Sequence, residues 1–427
     1  VLAALVAVTL AWTAAAHGAE LTGSLRTWHR VTLGFEGPET SETAEPNPFL
    51  HYRLSVTFTG PGGRTLRVPG FYAADGNSAE SGASSGNVWK VRFCPPAAGK
   101  WRWKASFREG ERVALSLDRD AGSPAAFDGA SGSFTVKPTN KSGRDFRARG
   151  RLRYVGERYL QFAETGEYFL KGGADSPENF LGYKGFDGTP PTHAYEPHLD
   201  DWRQGDPTWR DGRGKGIIGA LNYLAGEGMN SVYMLTMNVK GDGKDVWPWT
   251  AKDARVRFDC SKLAQWEMVF SHMDRLGLMQ HFVTQETEND QLMDGGELGP
   301  QRKLYYRELV ARFAHHPAIT WNLGEENTNT DAQRKQFARY LRGLIPYKGP
   351  FLVVHTYPGS KQEIYEPLLG FQGLGGPSLQ MGNPQGSHEE TIKWLDRSRE
   401  AGHQWVVCVD EIGPAHTGVM PDGPDSN

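Results

Sequence analysis

The chain has 427 residues, a length that suits two domains better than one, and 38% of them are hydrophobic, which is enough for a sizeable core. The formal net charge is −3, acidic and basic residues are mixed, and no basic stripe or acidic tail is evident, so the composition argues against a nucleic-acid or anionic-membrane partner. Cys94, Cys260 and Cys408 lie far apart without a CxxC pair, which excludes a zinc pattern and a dense disulfide framework and favours buried free thiols.

Residues 1–20 form an apolar run that ends in small residues, as the hydrophobic region and cleavage site of a secretory signal peptide do. The run has neither an initiating Met nor a basic start, so we expect the gene to begin further upstream. The alternative is a buried N-terminal helix. A signal peptide predicts a secreted or periplasmic protein.

Residues 22–137 consist of short alternating segments, such as HYRLSVTFTG and GKWRWKASF, separated by turns rich in Gly, Pro, Asn and Asp. This spacing predicts an antiparallel β-sandwich of immunoglobulin type. Residues 138–167 carry several arginines and then two strand-like pieces around a turn. They fit a connector hairpin that closes the floor of the next domain.

In residues 168–427, strand-like and helix-like segments alternate seven times. Helical spacing of apolar residues is clearest over 261–277, 299–317, 331–345 and 387–402. Such alternation predicts a parallel sheet with crossover helices, and the near-complete repetition predicts a (β/α)8 TIM barrel. The fold class is therefore multidomain, with an Ig-like sandwich followed by the barrel.

An eighth strand-helix unit is missing from this pattern, because only a short turn-like segment follows Ala415. We expect the given sequence to stop before that unit, since an open barrel would expose unpaired strand edges. The alternatives are a closed seven-stranded barrel and a strand supplied from elsewhere in the chain.

Active sites of TIM barrels lie at the carboxyl ends of the strands, so the polar residues at these ends are candidate site residues. In chain order they are Asp175, Asn179, Asn238, Gln285, Glu286, Glu288, Asn289, Asn322, Glu325, Glu326, Asn327, His355, Tyr357, Asn383, Asp410 and Glu411. Helix N-caps explain some of them. The acids after the fourth and seventh strands suit the paired carboxyl groups that glycosidic cleavage requires.

The motifs NLGEEN and VDEIG resemble the ends of strands four and seven in the retaining glycoside hydrolases of clan A. The resemblance implies that Glu411 is the nucleophile and Glu326 the acid/base. The sequence departs from the clan at Glu325, which stands where the clan has the Asn that holds the sugar 2-hydroxyl; Asn322 or Asn327 would then replace it. Glu325 as the proton donor is the alternative, because neighbours in a strand point to opposite faces unless a bulge intervenes.

The whole chain also resembles a family of secreted bacterial proteins in which a sandwich of unknown function precedes a hydrolase-like barrel. The motifs YFLKGGADSPEN, QETEND, WNLGEEN and VDEIGPA carry this resemblance, which extends over nearly everything after the signal peptide. They do not specify the substrate.

Aromatic and acidic residues near the predicted pair give further expectations. His355 and Tyr357 share a strand face and are expected to hydrogen-bond the nucleophile, with a core histidine as the alternative. Trp247 and Trp249 are candidate stacking platforms for sugar, against simple loop packing. Glu286 and Glu288 are expected to orient substrate or to be solvated loop acids. A cation site using Glu288 and Asp290 is less favoured, and we predict no metal site.

These patterns predict a secreted retaining glycoside hydrolase that acts on a poly- or oligosaccharide by double displacement. No phosphate-binding loop, dinucleotide fingerprint or nucleophile elbow is present in the required context, so no cofactor is predicted. The alternative is a non-catalytic carbohydrate-binding or surface-adhesion protein on a hydrolase-like barrel, to which Glu325 gives weight. Lyase chemistry lacks the Arg/Lys cluster that it would need at the strand ends.

Overall fold

The computed structural model describes residues 19–241 and 243–413. Antiparallel sheets occupy the first part of this range and a parallel sheet the second. The strands are β1 Glu20–Gly23, β2 Val31–Ser41, β3 Tyr52–Thr59, β4 Thr65–Pro69, β5 Phe71–Tyr72, β6 Ser85–Phe93, β7 Gly99–Glu109, β8 Ser123–Pro124, β9 Ser131–Val136, β10 Leu152–Arg153, β11 Leu160–Phe162, β12 Tyr168–Phe169, β13 Gly173–Ala174, β14 Ser231–Leu235, β15 Met279–Val283, β16 Ile319–Asn322, β17 Phe351–Thr356, β18 Gly376–Met381 and β19 Cys408–Ile412. The α-helices are α1 Pro48–His51, α2 Ser78–Ser81, α3 Phe146–Arg149, α4 Lys215–Gly226, α5 Cys260–Leu276, α6 Pro300–Phe313, α7 Asp331–Leu344, α8 Lys361–Tyr365 and α9 Ser387–Glu400.

Two antiparallel sheets face each other in the N-terminal part. One has the order β1-β2-β6-β5, and the other has the order β4-β3-β7-β8, with β9 also on β7. Aromatic rings join them: Phe58 stacks on Phe93 with centroids 4.0 Å apart, and Trp89 meets Phe107 at 4.8 Å. The antiparallel sheets are therefore as predicted. The immunoglobulin-type topology stays a prediction.

Strand β7 shows that the expectation of no basic stripe was wrong. Its inward residues include the buried Trp101 and Trp103, whereas Lys100, Arg102 and Lys104 alternate with them and are exposed. Mixed charge along the sequence hides this stripe, because only the two-residue period of a strand brings the three cations to one face.

A small sheet of β10, β11 and β12 forms the floor of the barrel. Its apolar side chains and Phe146 pack on residues at the amino ends of barrel strands, namely Met279, Phe351 and Val406. Tyr168–Phe169 was expected to begin the first barrel strand. It instead pairs with β11, and the first barrel strand is Gly173–Ala174.

The barrel sheet has seven parallel strands in sequential order from β13 to β19. Its two edges approach each other, because Lys171, just before β13, contacts Asp410 on β19. Between these edges lies a cavity of about 290 Å³ lined by Leu160, Phe169, Leu170, Tyr233 and residues 406–410. No strand of the described range fills this gap. The predicted missing eighth unit would lie outside the described range. The last two residues of the VDEIGPA motif, 414 and 415, lie outside it as well.

The described part of the chain contains no helix with the length and apolar character needed to cross a bilayer. All three cysteines are free thiols, and Cys94 and Cys260 are buried. The predicted signal peptide lies almost entirely outside the described residues.

The sandwich is locked to the barrel helices by a buried ionic cluster around Glu267 on α5. Arg30 and Arg92 of the sandwich pair with the Glu267 carboxylate at 2.5 and 2.9 Å. His316 lies 3.3 Å from Glu267 and 2.7 Å from Asp274. Burial opposes protonation of His316, but Asp274 and Glu267 prevail and raise its pKa to about 9. The cluster ties the sandwich to the outer wall of the barrel.

Replacing His316 with glutamine should destabilise the protein by about 3 kcal/mol at pH 6.5, because two buried carboxylates lose a cation. The folded pKa of His316 lies above the ordinary value of 6.5, so its stabilisation is complete below pH 6.5 and is lost as pH rises through 9. Melting temperatures at pH 6.5 and 9.5 should therefore converge between wild type and variant. The exposed His388→Gln is the control and should follow wild type at both pH values. An unchanged difference at pH 9.5 would contradict a charged His316.

Candidate functional site

Both acids of the WNLGEEN motif lie near Glu411, because the backbone that carries them is irregular and the alternation expected of a strand does not apply. Strand β16 ends at Asn322, so Glu325 and Glu326 lie in a turn and do not alternate as strand neighbours. Glu326 has φ +46°, a left-handed conformation that is costly for a residue with a side chain. Glu325 lies within reach of Glu411, and Glu326 shares a hydrogen-bonding partner with it. The turn thus delivers two carboxyl groups to one place.

A bulge in β19 places two consecutive acids inside the barrel. Leu379 pairs with Val409, but the next residue, Gln380, pairs with Glu411, so Asp410 is the extra residue. A bulge of this kind re-aims side chains that would otherwise alternate. Asp410 accepts a hydrogen bond from Ser378 Oγ at 2.6 Å, while Glu411 reaches the open end of the barrel.

Gln380 bridges the two candidate catalytic acids. Its Nε2 donates to Glu411 Oε1 at 2.7 Å and to Glu326 Oε1 at 3.2 Å. Because one amide nitrogen contacts both carboxyl groups, the distance between their two bonded oxygens cannot exceed the combined length of the two hydrogen bonds. The carboxyl groups therefore converge, as a pair acting on one glycosidic bond must.

The buried His355 contacts Glu411. Its Nε2 lies 3.5 Å from Glu411 Oε2, and its Nδ1 accepts a bond from the Glu326 backbone N–H at 3.4 Å. Burial lowers the pKa of His355 to about 4, so the ring is neutral at neutral pH. A neutral His355 can orient Glu411 but supplies no charge to it.

Burial raises the pKa of Glu411 to about 7, and the nearby Glu326 and Asp175 add to the rise. The hydrogen bond from Gln380 acts in the opposite direction, because it stabilises the carboxylate. Glu411 thus titrates near neutrality, where small changes in its surroundings decide its charge.

Glu325 is a buried acid beside a second carboxyl group. It is 4% exposed, and burial together with Glu178 and Glu411 raises its pKa well above the ordinary range. Its carboxyl group hydrogen-bonds that of Glu178. Two carboxyl groups in such contact share a proton, since both cannot be ionised at low cost.

A second buried network lies below these acids. Lys171 contacts Asp410 and lies 3.0 Å from His281 Nδ1. Burial opposes ionisation of Asp410, but Lys171 and His281 bring its pKa below the ordinary value. Asn322 Nδ2 lies 3.1 Å from His281 Nε2 and 3.3 Å from Ser378 Oγ, so Asn322 belongs to this network.

Seven of the predicted site residues come together in this region. Tyr357 hydrogen-bonds Glu326, and burial and that contact raise the tyrosine pKa to about 12. Asp175 is close enough to affect Glu411, and Glu286 to affect Glu325. The group is Asp175, Glu286, Glu325, Glu326, His355, Tyr357 and Glu411.

The predicted asparagines have structural roles instead. Asn179 donates to Asp245 at 2.8 Å and lies 2.7 Å from His193 Nε2. Asn238 accepts from a loop N–H at 3.0 Å, and Asn327 accepts from Arg334 Nε at 3.0 Å. These contacts hold the loops around the site.

The two tryptophans predicted as stacking platforms differ in exposure. Trp249 is fully buried and its ring packs on Tyr305, so it offers no face to a sugar. Trp247 is half-buried, with the Lys262 ammonium 5.6 Å from its ring centroid. Trp249 therefore follows the alternative prediction, simple packing within the loop. Glu288 and Asn383 are exposed in loops.

Five residues of the site and the network below it were not among the sequence candidates: Lys171, Glu178, His281, Ser378 and Gln380. Glu178 sits one position before Asn179, and Lys171 precedes the first barrel strand. Gln380 lies inside the apolar segment PSLQM, where it was treated as part of a strand. A polar residue on the inward face of a predicted barrel strand is the signal that would have identified Gln380.

Two clusters of the described residues have ligand atoms within 4.8 Å of one another, as a metal site would need: Glu267 with His315 and His316, and Glu325 with His355 and Glu411. In the first, Arg30 and Arg92 pair with Glu267. In the second, the Glu325 carboxyl group hydrogen-bonds that of Glu178, and Gln380 donates to Glu411. Hydrogen bonding and ion pairing thus account for both clusters, and neither set of donors fits a cation well.

Known proteins share parts of this architecture. Residues 24–108 match the family described as Domain of unknown function (DUF5060). That match covers part of the sandwich. No curated protein sequence matches the chain significantly.

Solved structures resemble the chain over a longer range. An inferred glycoside hydrolase from Bacteroides vulgatus ATCC 8482 superposes with a TM-score of 0.61 at 19% identity, over 91% of this chain and 65% of that one. The chain thus has a glycoside-hydrolase-like fold and spans less than two thirds of that protein. A glycoside hydrolase family 5 protein from the same organism (TM-score 0.40, 15% identity, 62% and 54% coverage) and an endo-1,4-beta-mannanase from Rhizomucor miehei (0.39, 12%, 60% and 80%) are more distant.

Proposed function

We propose that the chain is a secreted retaining glycoside hydrolase that acts on a poly- or oligosaccharide by double displacement. Glu411 attacks the anomeric carbon, and Glu326 protonates the leaving oxygen and then activates water. The single observation that carries this proposal is the Gln380 amide, which donates to both carboxyl groups. Such a bridge is compatible with the separation of about 5–5.5 Å that a retaining mechanism uses, whereas an inverting enzyme needs room for a water molecule.

The two acids have surroundings suited to different roles. Glu411 rests on the buried His355 and accepts from Gln380, both of which fix its direction of attack. Glu326 is half-buried beside the exposed Tyr357, on the solvent side where a leaving group departs. The pair therefore has a fixed member and an accessible member, as nucleophile and proton carrier require.

Glu325 has a separate role in this proposal. It is proposed to orient a sugar hydroxyl from the position where the resembled clan has Asn. Burial and the contact with Glu178 favour its protonated form, because both raise its pKa.

The stereochemistry of the product tests the mechanism. Released reducing ends from a panel of plant and algal polysaccharides would identify a substrate, and proton NMR of the first product would then give its anomeric configuration. We expect retention, because one amide nitrogen contacts both carboxyl groups and so favours the shorter of the two separations. An inverted first product would reject double displacement. Tight glycan binding without released ends would favour the alternative of a carbohydrate-binding or adhesion protein.

A further inference from the structure

The outer face of the second sandwich sheet carries a group of four cations, in addition to the buried Arg53 and the ion-paired Arg108. We name it the basic face: Lys100, Arg102 and Lys104 on β7, and Arg67 on β4. The three β7 residues are exposed, and Arg67 is half-buried. Successive members on β7 are two residues apart, or about 7 Å along the strand. The face is thus a straight row of cations with a fourth to one side.

Strand register puts hydroxyl groups between these cations. Lys104 lies opposite Thr57 on one side and Ser131 on the other, and Thr57 in turn lies opposite Arg67. In the next row across the sheet, Arg102 lies opposite Thr59 on one side and Ser133 on the other, and Thr59 in turn lies opposite Thr65. Side chains directly opposite each other in a sheet are close neighbours. The basic face therefore combines cations with hydroxyl donors and acceptors, and no carboxylate stands in these rows.

The cations of the basic face have no close carboxylate partner. Among residues 19–241 and 243–413, none of its four members forms an ion pair. Burial, Arg53 and Arg119 lower the pKa of Arg67, with Asp120 as the opposing neighbour. A shallow groove of about 470 Å³ lies over Thr57, Arg102 and Lys104, so a ligand has room there.

We propose that the basic face binds an anionic polysaccharide, one that carries carboxylate or sulfate groups. An extended chain lying along β7 would place its anionic groups beside Lys100, Arg102 and Lys104, while the Ser and Thr side chains bond its hydroxyls. The choice of polysaccharide over other polyanions rests on the proposed function. It agrees with the chemistry of the face, which presents no outward aromatic ring on which a nucleic-acid base would stack.

Binding can be measured with the full chain carrying Glu411→Gln, so that no probe is consumed. The probes are fluorescently labelled alginate, dextran sulfate, neutral dextran and a single-stranded DNA oligonucleotide, followed by anisotropy at 50 and 300 mM NaCl. We expect binding of alginate or dextran sulfate that weakens with salt, and no binding of dextran. Replacing Lys100, Arg102 and Lys104 together with glutamine should weaken it at least tenfold.

The matched control replaces three exposed lysines outside the basic face with glutamine: Lys141, Lys252 and Lys348. It removes the same charge and should bind within twofold of the parent. Equal affinity of parent and basic-face variant would overturn the proposal, as would absence of binding to both anionic polysaccharides. Tighter binding of DNA than of either polysaccharide would overturn the choice of ligand. Hydrolysis is not measured, so failure here is distinct from failure of the catalytic assignment.

Discussion

Replacing Glu411 with glutamine should reduce turnover by at least about 10³-fold, because an amide cannot form the covalent glycosyl-enzyme. The variant should stay folded, since the glutamine oxygen still accepts from Gln380. We expect its melting temperature at pH 8 to rise, because burial, Glu326 and Asp175 all oppose a charged Glu411 in the native protein. The measurements are the rate on the substrate found by the screen and a thermal melt.

The rise in stability separates a functional acid from a structural one. If a carboxylate stabilised the fold through an ion pair, its substitution would lower the stability of the protein. Glu389→Gln is the control, since Glu389 is exposed in the first turn of α9, and its activity should stay within twofold of wild type. Retained turnover in Glu411→Gln would reject Glu411 as the nucleophile.

The sequence predicted best those features that depend on local periodicity. Helices α5, α6, α7 and α9 begin and end within a few residues of their predicted bounds, because apolar spacing and terminal Gly or Pro are properties of the chain itself. The sequential order of the strands in the parallel sheet could be predicted from the same pattern, because a repeated strand-helix unit permits few topologies. The first barrel strand was misplaced, because Tyr168–Phe169 has strand composition but its partner is the floor sheet.

Site geometry could be predicted only in part, because it depends on irregular backbone. The convergence of Glu325 and Glu326 arises from a turn with positive φ at Glu326, and that of Asp410 and Glu411 from a bulge. Neither has a sequence signal as strong as Gly or Pro. Trp249 was misjudged for a different reason: its burial depends on Tyr305, which is distant in sequence. Residue type indicated the chemistry, and tertiary contacts decided which residues take part.

Replacing Glu326 with glycine should lower turnover on a natural substrate by about 10²- to 10⁴-fold, because the leaving oxygen loses its proton donor. Glycine suits this position, since φ is +46° there and glycine adopts that conformation without strain. Loss of activity would then not result from unfolding. Aryl glycosides with good leaving groups should be less affected in the first step, since they depart without a proton.

Sodium azide distinguishes Glu326 from Glu325. In Glu326→Gly, azide can attack the glycosyl-enzyme without a general base, so the rate should recover and the product should be a glycosyl azide of retained configuration. Glu325→Ala should show no such recovery, because Glu325 is buried against Glu178 and is not the proposed proton donor. Recovery in Glu325→Ala alone would transfer the acid/base role to Glu325. Recovery in neither variant would count against a covalent intermediate, because azide intercepts the reaction only where such an intermediate awaits a base.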